Sequence, residues 1–270
     1  MTFTGFVTDN SVNQHMGVVV PYRDRAAHLA EFLPALQKFL ADHPNKAPGR
    51  TSVLVVEQQA GGEFNRGKLK NVGYALLCEA IDYVCFHDVD YVPQRADYRD
   101  PQRGWVHLAS KGAETTLDPR GFTIKHDMSR FTGGAVLFTK DAYEKVNGFS
   151  NQYWGWGFED ADLNGRCLVR QIPFARRSGR FKTLPHENEG FAVEGRAVSP
   201  SAAHLKNKQQ FEARFGVEPA YDPNIAAPEN VGRSKMEGDG LSDLEYTIVS
   251  RETLIGAKPA FVAEKVVVTL

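Results

Sequence analysis

The chain has 270 residues, 42% hydrophobic and 24% charged, which is enough to bury one sizeable core and too apolar for a disordered segment. Its formal net charge of -1 supplies no global basic field, so nucleic acid is not an expected partner. Three scattered cysteines (Cys78, Cys85, Cys167) lack CxxC spacing and fit a reducing compartment better than a disulfide framework. The N-terminal stretch "MTFTGFVTDNSVNQHMGVVV" has no basic n-region and no long apolar run. No other stretch approaches the roughly 18 apolar residues of a membrane span, so a soluble, cytoplasmic protein is expected.

"MGVVVPY" (Met16 to Tyr22) is a short apolar run rich in β-branched residues and reads as a buried strand. "RDRAAHLAEFLPALQKFLADH" follows, with Leu29, Phe32, Leu33, Leu36 and Leu40 at helical spacing and Pro34 as an expected kink. "TSVLVVEQ" is a second buried strand, and the next helix places Leu69, Val72 and Leu76 on one face. "DYVCFHDVDYVP" is a third strand that ends in acid. Strands alternating with helices over short connections predict an α/β domain with a mostly parallel sheet flanked by helices. Such sheets bind ligands beyond the carboxyl ends of their strands, which is where Pro21 to Arg25, Glu57 to Arg66 and Asp88 to Asp90 fall.

Further along, "FTGGAVLFTKDAYEKVNGF" reads as a glycine turn, a strand and a short helix. "EDADLNGRCLVRQ" reads as a helix with Leu163, Cys167 and Leu168 inward. The polar stretch from about Pro200 to Asp239 predicts loops around one helix at "AHLKNKQQFEARF". The boundaries expected are a single domain over 1–250 and a tail over 251–270, where "AFVAEKVVVTL" is either an edge strand or a dimer contact. There is no internal repeat and no low-complexity segment.

Four constellations carry chemistry. In Asp88-Val89-Asp90 the residues i and i+2 of an extended chain point to one side, and hard carboxylate oxygens suit Mg²⁺ or Mn²⁺. A solvated turn is the competing reading. His186, beside Glu187 and Glu189 in "LPHENEG", would favour Mn²⁺ through its imidazole, against the plainer reading of an exposed histidine. Arg23 and Arg25 after the first strand, with Arg66 and Lys68 at a helix start, suit phosphate or else are solvated capping charges. In "WGWGFEDAD" the acids Glu159, Asp160 and Asp162 open a helix, where the macrodipole alone would favour them. That account leaves Trp154 and Trp156, alternating with glycines, unexplained. Indole faces stack on sugar rings, and a carboxylate with a pKa near 4 is ionised at neutral pH and able to accept a hydroxyl proton.

Taken together, "VVVPYRDRAAHL", "FNRGKLKNVGY", "HDVDYVP", "FTGGAVLFTKDAYEKVNGFSNQYWGWGFEDAD", the histidine of "LPHE" and "GDGLSDLEY" resemble the β-1,4-galactosyltransferases, in that family's order and over most of the chain. The resemblance implies a GT-A fold, a UDP-sugar donor, Mn²⁺ and inverting transfer of galactose, with GalNAc as a second donor, to a saccharide or glycolipid acceptor. It implies that Pro21, Tyr22, Arg23, Arg25, Phe64, Asn65 and Arg66 frame the uridine and diphosphate. Asp88 would sit near the nucleotide, Asp90 and His186 would hold the metal, and Phe131 and Gly134 would lie by the donor sugar. Trp156 would be the sugar platform, Glu159 would bind donor or acceptor, and Asp160 would be the base.

Four positions depart from the family pattern. Thr183 stands where lactose-type enzymes have a methionine ligand, and Asn188 stands where the xylose-specific branch has the second histidine of HxH. Ala161 replaces an acid of EDD, and Phe131 replaces a tyrosine. Animal members carry an N-terminal membrane anchor, so a bacterial-type cytoplasmic member, with a possible homodimer contact, is expected. Two other readings compete. A catalytically inactive sugar- or nucleotide-binding protein of the same fold would accommodate Ala161 and the missing ligand. A haloacid-dehalogenase-type phosphatase would use "DVDYV", with Asp88 as nucleophile, but leaves the tryptophan–glycine stretch without a role.

Overall fold

A computed structural model describes residues 13–109, 114–117, 123–126, 133–185, 201–215, 236–258 and 260–270. The first strand, β1 (His15–Tyr22), is buried along its whole length, as its run of valines predicts. Helix α1 (Ala26–Asp42) follows and buries Phe32, Leu33, Leu36, Phe39 and Leu40. Pro34 lies inside α1 on its exposed side, and the helix continues past it. Then come β2 (Arg50–Gln58), α2 (Arg66–Leu77) and β3 (Tyr83–His87).

Beyond β3 the order is β4 (Tyr91–Arg95), β5 (Trp105–His107), β6 (Glu114–Leu117), β7 (Thr123–His126) and β8 (Ala135–Thr139). Helices α3 (Lys140–Lys145) and α4 (Glu159–Val169) precede β9 (Phe174–Arg176) and β10 (Arg180–Thr183). Helix α5 (Ala202–Phe215) and the hairpin β11 (Thr247–Lys258) and β12 (Phe261–Thr269) complete the described chain.

Eight strands form one sheet in the order β11-β12-β2-β1-β3-β8-β5-β9. The joins β12/β2, β2/β1, β1/β3 and β5/β9 are parallel, and the other three are antiparallel. The sheet is therefore mixed and mostly parallel. Successive side chains of the buried strands serve opposite faces. Met16, Val18, Val20, Val53 and Val55 pack with α1 in one cluster. Val19, Leu54, Val56 and Phe86 pack with Leu69 and Val72 of α2 and Leu163 of α4 in the other. Each such side chain contributes roughly 1.5–3 kcal/mol on burial. Leu163 and Cys167 face inward as expected, while Leu168 is only half-buried.

The parallel register places the site. Val19 lies opposite both Leu54 and Phe86, so β1, β2 and β3 finish at one edge. The loops that leave this edge carry Arg23 and Arg25, Glu63 to Arg66, and Asp88 to Asp90.

The C-terminal segment differs from the expectation. The boundary at 250 falls inside β11, and β12 is not an edge strand but lies between β11 and β2, parallel to β2 from Phe261↔Thr51 to Val268↔Gln58. The physical reason is that β12 buries both of its faces: Phe261 and Ala263 pack in the cluster that includes α1, and Val266 and Val268 pack in the cluster on the other face, as an interior strand requires.

Candidate active site

The three strand ends converge on a cavity of about 470 Å³. Pro21, Arg23, Arg25, Glu63, Phe64, Arg66, Asp88, Val89 and Asp90 line it from the sheet edge, and Gly155, Trp156, Gly157 and Ala203 line it from the tryptophan–glycine loop and α5. The Arg23 guanidinium lies 5.1 Å from the Phe64 ring centroid, a cation–π contact that holds the charge at the cavity wall.

Asn65 positions Arg66. It caps α2, its side-chain oxygen accepting from Lys68 N–H at 2.8 Å, and its Nδ2 donates to the Asn151 carbonyl at 2.7 Å. Its own N–H donates to Gln58 Oε1 at 2.8 Å. Arg66 then projects between two acids, donating to Asp88 Oδ2 at 2.9 Å and to the Glu159 carboxylate. One helical turn on, Lys70 Nζ lies 3.3 Å from Asp88 Oδ1. Burial opposes the Arg66 charge, but Asp88, Glu159 and Asp160 outweigh it and hold the guanidinium well above its ordinary range. Burial would likewise raise the Asp88 carboxyl, yet Arg66 and Lys70 prevail and pull it down to about 2.

Asp160 behaves in the opposite way. It opens α4 beside Glu159, and its Oδ1 accepts from the Ala161 N–H at 2.8 Å. Burial and the Glu159 charge push its carboxyl up to about 6, with Arg66 and Lys70 offsetting only part of the rise. The expectation of an ordinary carboxylate near 4, stabilised by its place at a helix start, is thereby corrected. Burial and the like charge next to it outweigh the helix-end contribution. Asp162 is no helix cap either: it is fully buried, paired with Arg166 at 2.6 Å and Arg214 at 2.7 Å, and accepts from Tyr153 at 2.9 Å. Both arginines also reach Asp239, at 2.9 Å and 2.7 Å, which closes a buried four-charge network.

The tryptophan–glycine loop turns through left-handed backbone at Gly155 (φ +75°), Gly157 (φ +100°) and Phe158 (φ 74°). Its glycines also allow close approach to α5. A Cβ on Gly155 would meet Ala203 Cβ at 2.7 Å, and one on Gly157 would meet His204 Nδ1 at 2.8 Å. Ala161 packs with Phe158, Phe211 and Phe215, so the position that carries an acid in the resembling pattern is here covered by aromatic rings.

Of the residues expected from sequence, Pro21, Arg23, Arg25, Phe64, Arg66, Asp88, Asp90 and Trp156 line the cavity. Tyr22 does not line it, because its ring packs in the core, and Asn65 is buried as the cap of α2. Gly134 supports the acidic turn from behind, its carbonyl accepting from Asp88 N–H at 2.8 Å. Glu159 and Asp160 stand next to the cavity wall, joined to it through Arg66. Phe131 and His186 lie outside the described residues. The chain leading to His186 does run beside the acidic turn: Leu184 N–H donates to Asp90 O at 2.8 Å, and Thr183 pairs with Tyr91.

Lys70, Arg214, Asp239 and Asn207 were not singled out from sequence. For Lys70 a signal existed, since a charged residue on the apolar stripe of a helix, four residues after Arg66, marks a buried ion pair.

Comparison with known proteins gives the family. The family profile described as the N-terminal region of glycosyl transferase group 7 matches residues 7–99, and that described as the N-terminal domain of galactosyltransferase matches residues 117–187. The xylosylprotein 4-beta-galactosyltransferase of Caenorhabditis elegans is 36% identical over 245 residues, covering 88% of this chain and 72% of that protein. The chain belongs to the β-1,4-galactosyltransferase family. Among other family members, human beta-1,4-galactosyltransferase 7 is 33% identical over 176 residues, 63% of this chain and 50% of that protein. The chain spans about half the length of several such relatives, and 35% of the Lymnaea stagnalis beta-1,4-N-acetylglucosaminyl-transferase. The catalytic domain of Drosophila beta-1,4-galactosyltransferase 7, solved with xylobiose, superposes with a TM-score of 0.65 at 23% identity over 95% of this chain and 94% of that one. A mutant of the same fly enzyme was solved with manganese, UDP-Gal and xylobiose. The likeness shows that this family member has the GT-A glycosyltransferase fold.

Proposed function

We propose that this chain is a metal-dependent, inverting glycosyltransferase that moves galactose from UDP-galactose to a hydroxyl of a saccharide or glycolipid acceptor, leaving a β-linkage, β-1,4 by family. The observation that carries the reading is the cavity, where Arg23, Arg25 and Arg66 suited to a diphosphate, Asp90 suited to a metal and Trp156 suited to a sugar face one space. The Asp160 carboxyl, pushed up to about 6 by burial and Glu159, stands beside it. A base with that pKa is largely ionised at neutral pH and has more proton affinity than an ordinary carboxylate. The names of the relatives and the ligands of the fly structure support the same chemistry.

In this mechanism Arg23 and Arg25 hold the donor diphosphate, and Trp156 offers an aromatic face to the sugar. Glu159 is committed to Arg66, whereas Asp160 makes no ion pair among the described residues. Asp160 therefore takes the acceptor proton as the acceptor oxygen bonds to the anomeric carbon. The bond from that carbon to the UDP oxygen breaks on the opposite face, and its electron pair leaves with UDP. One displacement inverts the configuration, and no covalent sugar–enzyme intermediate forms.

The acidic turn fits Mn²⁺. Asp90 faces the cavity and offers hard carboxylate oxygens there, while Asp88 beside it is held by Arg66 and Lys70. Among the described residues no three metal-ligating side chains form a cluster, and His186 is the further ligand in this reading. When bound, the ion would neutralise charge on the diphosphate.

A binding protein without turnover would leave the raised Asp160 unused. The phosphatase reading requires an available nucleophile at Asp88, whose carboxylate is instead paired with Arg66 and Lys70. A cytoplasmic location is part of the proposal, supported by three free thiols, of which Cys85 and Cys167 are buried. Support for a homodimer comes only from Ile248 and Val249, exposed on the outer strand β11.

The deciding experiment is a UDP-release screen of UDP-galactose, UDP-GalNAc and UDP-glucose against GlcNAc, xylose and glucose acceptors, with Mn²⁺ or EDTA. Acceptor-dependent release in Mn²⁺, with a β-anomeric product by NMR, is expected. Binding of UDP and Mn²⁺ without turnover on any acceptor, or an α-linked product, overturns the reading.

A further inference from the structure

We propose that His204 and Asn207 of α5 are positioning residues for the Trp156 indole, so that this helix sets acceptor affinity without itself touching the reacting atoms. The inference rests on the reading of Trp156 as the sugar platform.

The loop from Trp154 to Phe158 needs outside support. Left-handed backbone at Gly155, Gly157 and Phe158 rules out a regular ladder, so the carbonyls of the loop must find donors elsewhere. On the sheet side, Gly155 N–H donates to the Phe64 carbonyl at 2.8 Å, which ties the loop to the arginine-bearing wall. On the far side one residue serves the carbonyls. Asn207 is 1% exposed, and its Nδ2 lies 2.9 Å from Trp154 O, 3.1 Å from Gly157 O and 3.5 Å from Trp156 O. A single amide group thus grips both ends of the four-residue turn that carries Trp156.

His204 lies one turn earlier, on the same side of α5. Its imidazole stacks on the Trp156 indole at 4.8 Å between centroids and 21° between planes, and packs against Phe158 at 4.9 Å. Its Nδ1 is buried and has no hydrogen-bond partner, so that edge of the ring serves the stack by packing alone. One face of the indole is therefore taken by His204, and Trp156 lines the cavity from this backed position. Removing either support should loosen the indole at the cavity wall. Acceptor binding should then suffer, while UDP, held at the sheet edge, should not.

The test compares His204→Ala, His204→Phe and Asn207→Asp in the full chain. The Asp change keeps the shape of the side chain but removes both N–H donors and sets a carboxylate against three carbonyls. His204→Ala should raise the acceptor KM roughly tenfold, because misplacing a substrate-positioning group by an ångström has effects of that order or larger. His204→Phe, which restores a flat ring, should recover it, with the KM for UDP-galactose unchanged throughout. The second readout needs no catalysis: with 5-fluorotryptophan incorporated, the ¹⁹F resonance of Trp156 should shift or broaden in His204→Ala and Asn207→Asp, while that of Trp105, in the core of the sheet, stays fixed. If the wild type transfers no sugar, the functional reading falls, and the ¹⁹F comparison still decides whether α5 positions the indole. An unchanged Trp156 resonance overturns the inference, as do donor and acceptor constants that move together in step with Tm.

Discussion

Asp160→Asn should inactivate the enzyme and stabilise the fold at the same time. The carboxyl is raised from 3.8 to about 6, first by burial and next by Glu159. The native state therefore binds this proton more tightly than the unfolded chain does. The contribution to stability is full below the unfolded pKa and is lost as pH rises through the native one, so the window runs from about pH 4 to about pH 6. A shift of about 2 units at 1.36 kcal/mol each sets a ceiling near 3 kcal/mol, and the partial exposure of the residue reduces this to roughly 1–3 kcal/mol. Asparagine has the same shape and never ionises. Denaturant unfolding of the metal-free protein should show no difference between variant and wild type near pH 4. A gap should open as pH rises and level off above pH 6.5, with Tm several degrees higher at about 2–4 °C per kcal/mol for a chain of this size. Over the same range kcat should fall by about 10²–10⁴. A variant no more stable than wild type at pH 7.5 would refute the assigned burial of the charge. Near-normal turnover would refute its role as base.

Asp90→Ala should abolish transfer and remove the Mn²⁺ dependence of UDP binding measured by calorimetry, and full activity after exhaustive EDTA treatment would refute a catalytic metal. Arg66→Met leaves the buried carboxylates of Asp88 and Glu159 without their shared cation and should cost about 3–5 kcal/mol in urea unfolding; a loss below about 1 kcal/mol would show that the pairs are marginal. Phe131→Tyr restores the hydroxyl of the resembling pattern and, if this position has the donor role that pattern implies, should reduce UDP-GalNAc use relative to UDP-galactose by the several-fold that about 1 kcal/mol allows. Equal donor ratios in the two proteins would refute that.

The sheet edge was legible because its determinants are local. Valine runs set β1 and β2, helical spacing set α1 and α2, and an acid-ended strand put Asp88 and Asp90 beside the others. The tryptophan–glycine stretch was legible as composition, since alternating indoles and bare backbone have few uses outside a binding surface. What escaped depends on contacts far apart in sequence. Nothing near residue 261 announces that its strand will lie against β2, some 200 residues earlier, although the β-branched apolar run itself announces a strand. Asn207 looks like one more polar residue on a polar helix until the carbonyls of Trp154 and Gly157 are placed next to it. The error over Asp160 is of the same kind. A rule about the first turn of a helix gave one sign, and the tertiary neighbourhood gave the other.

The buried Asp162, Arg166, Arg214 and Asp239 network has a consequence for how this chain can change over evolutionary time. Arg214 meets Asp239 at 2.7 Å, and each is held independently to α4, by Asp162 and by Arg166. Losing any one of these charges leaves its partners buried without compensation, at a cost of about 3–5 kcal/mol. Substitutions of the four charged residues should therefore arise only in concert.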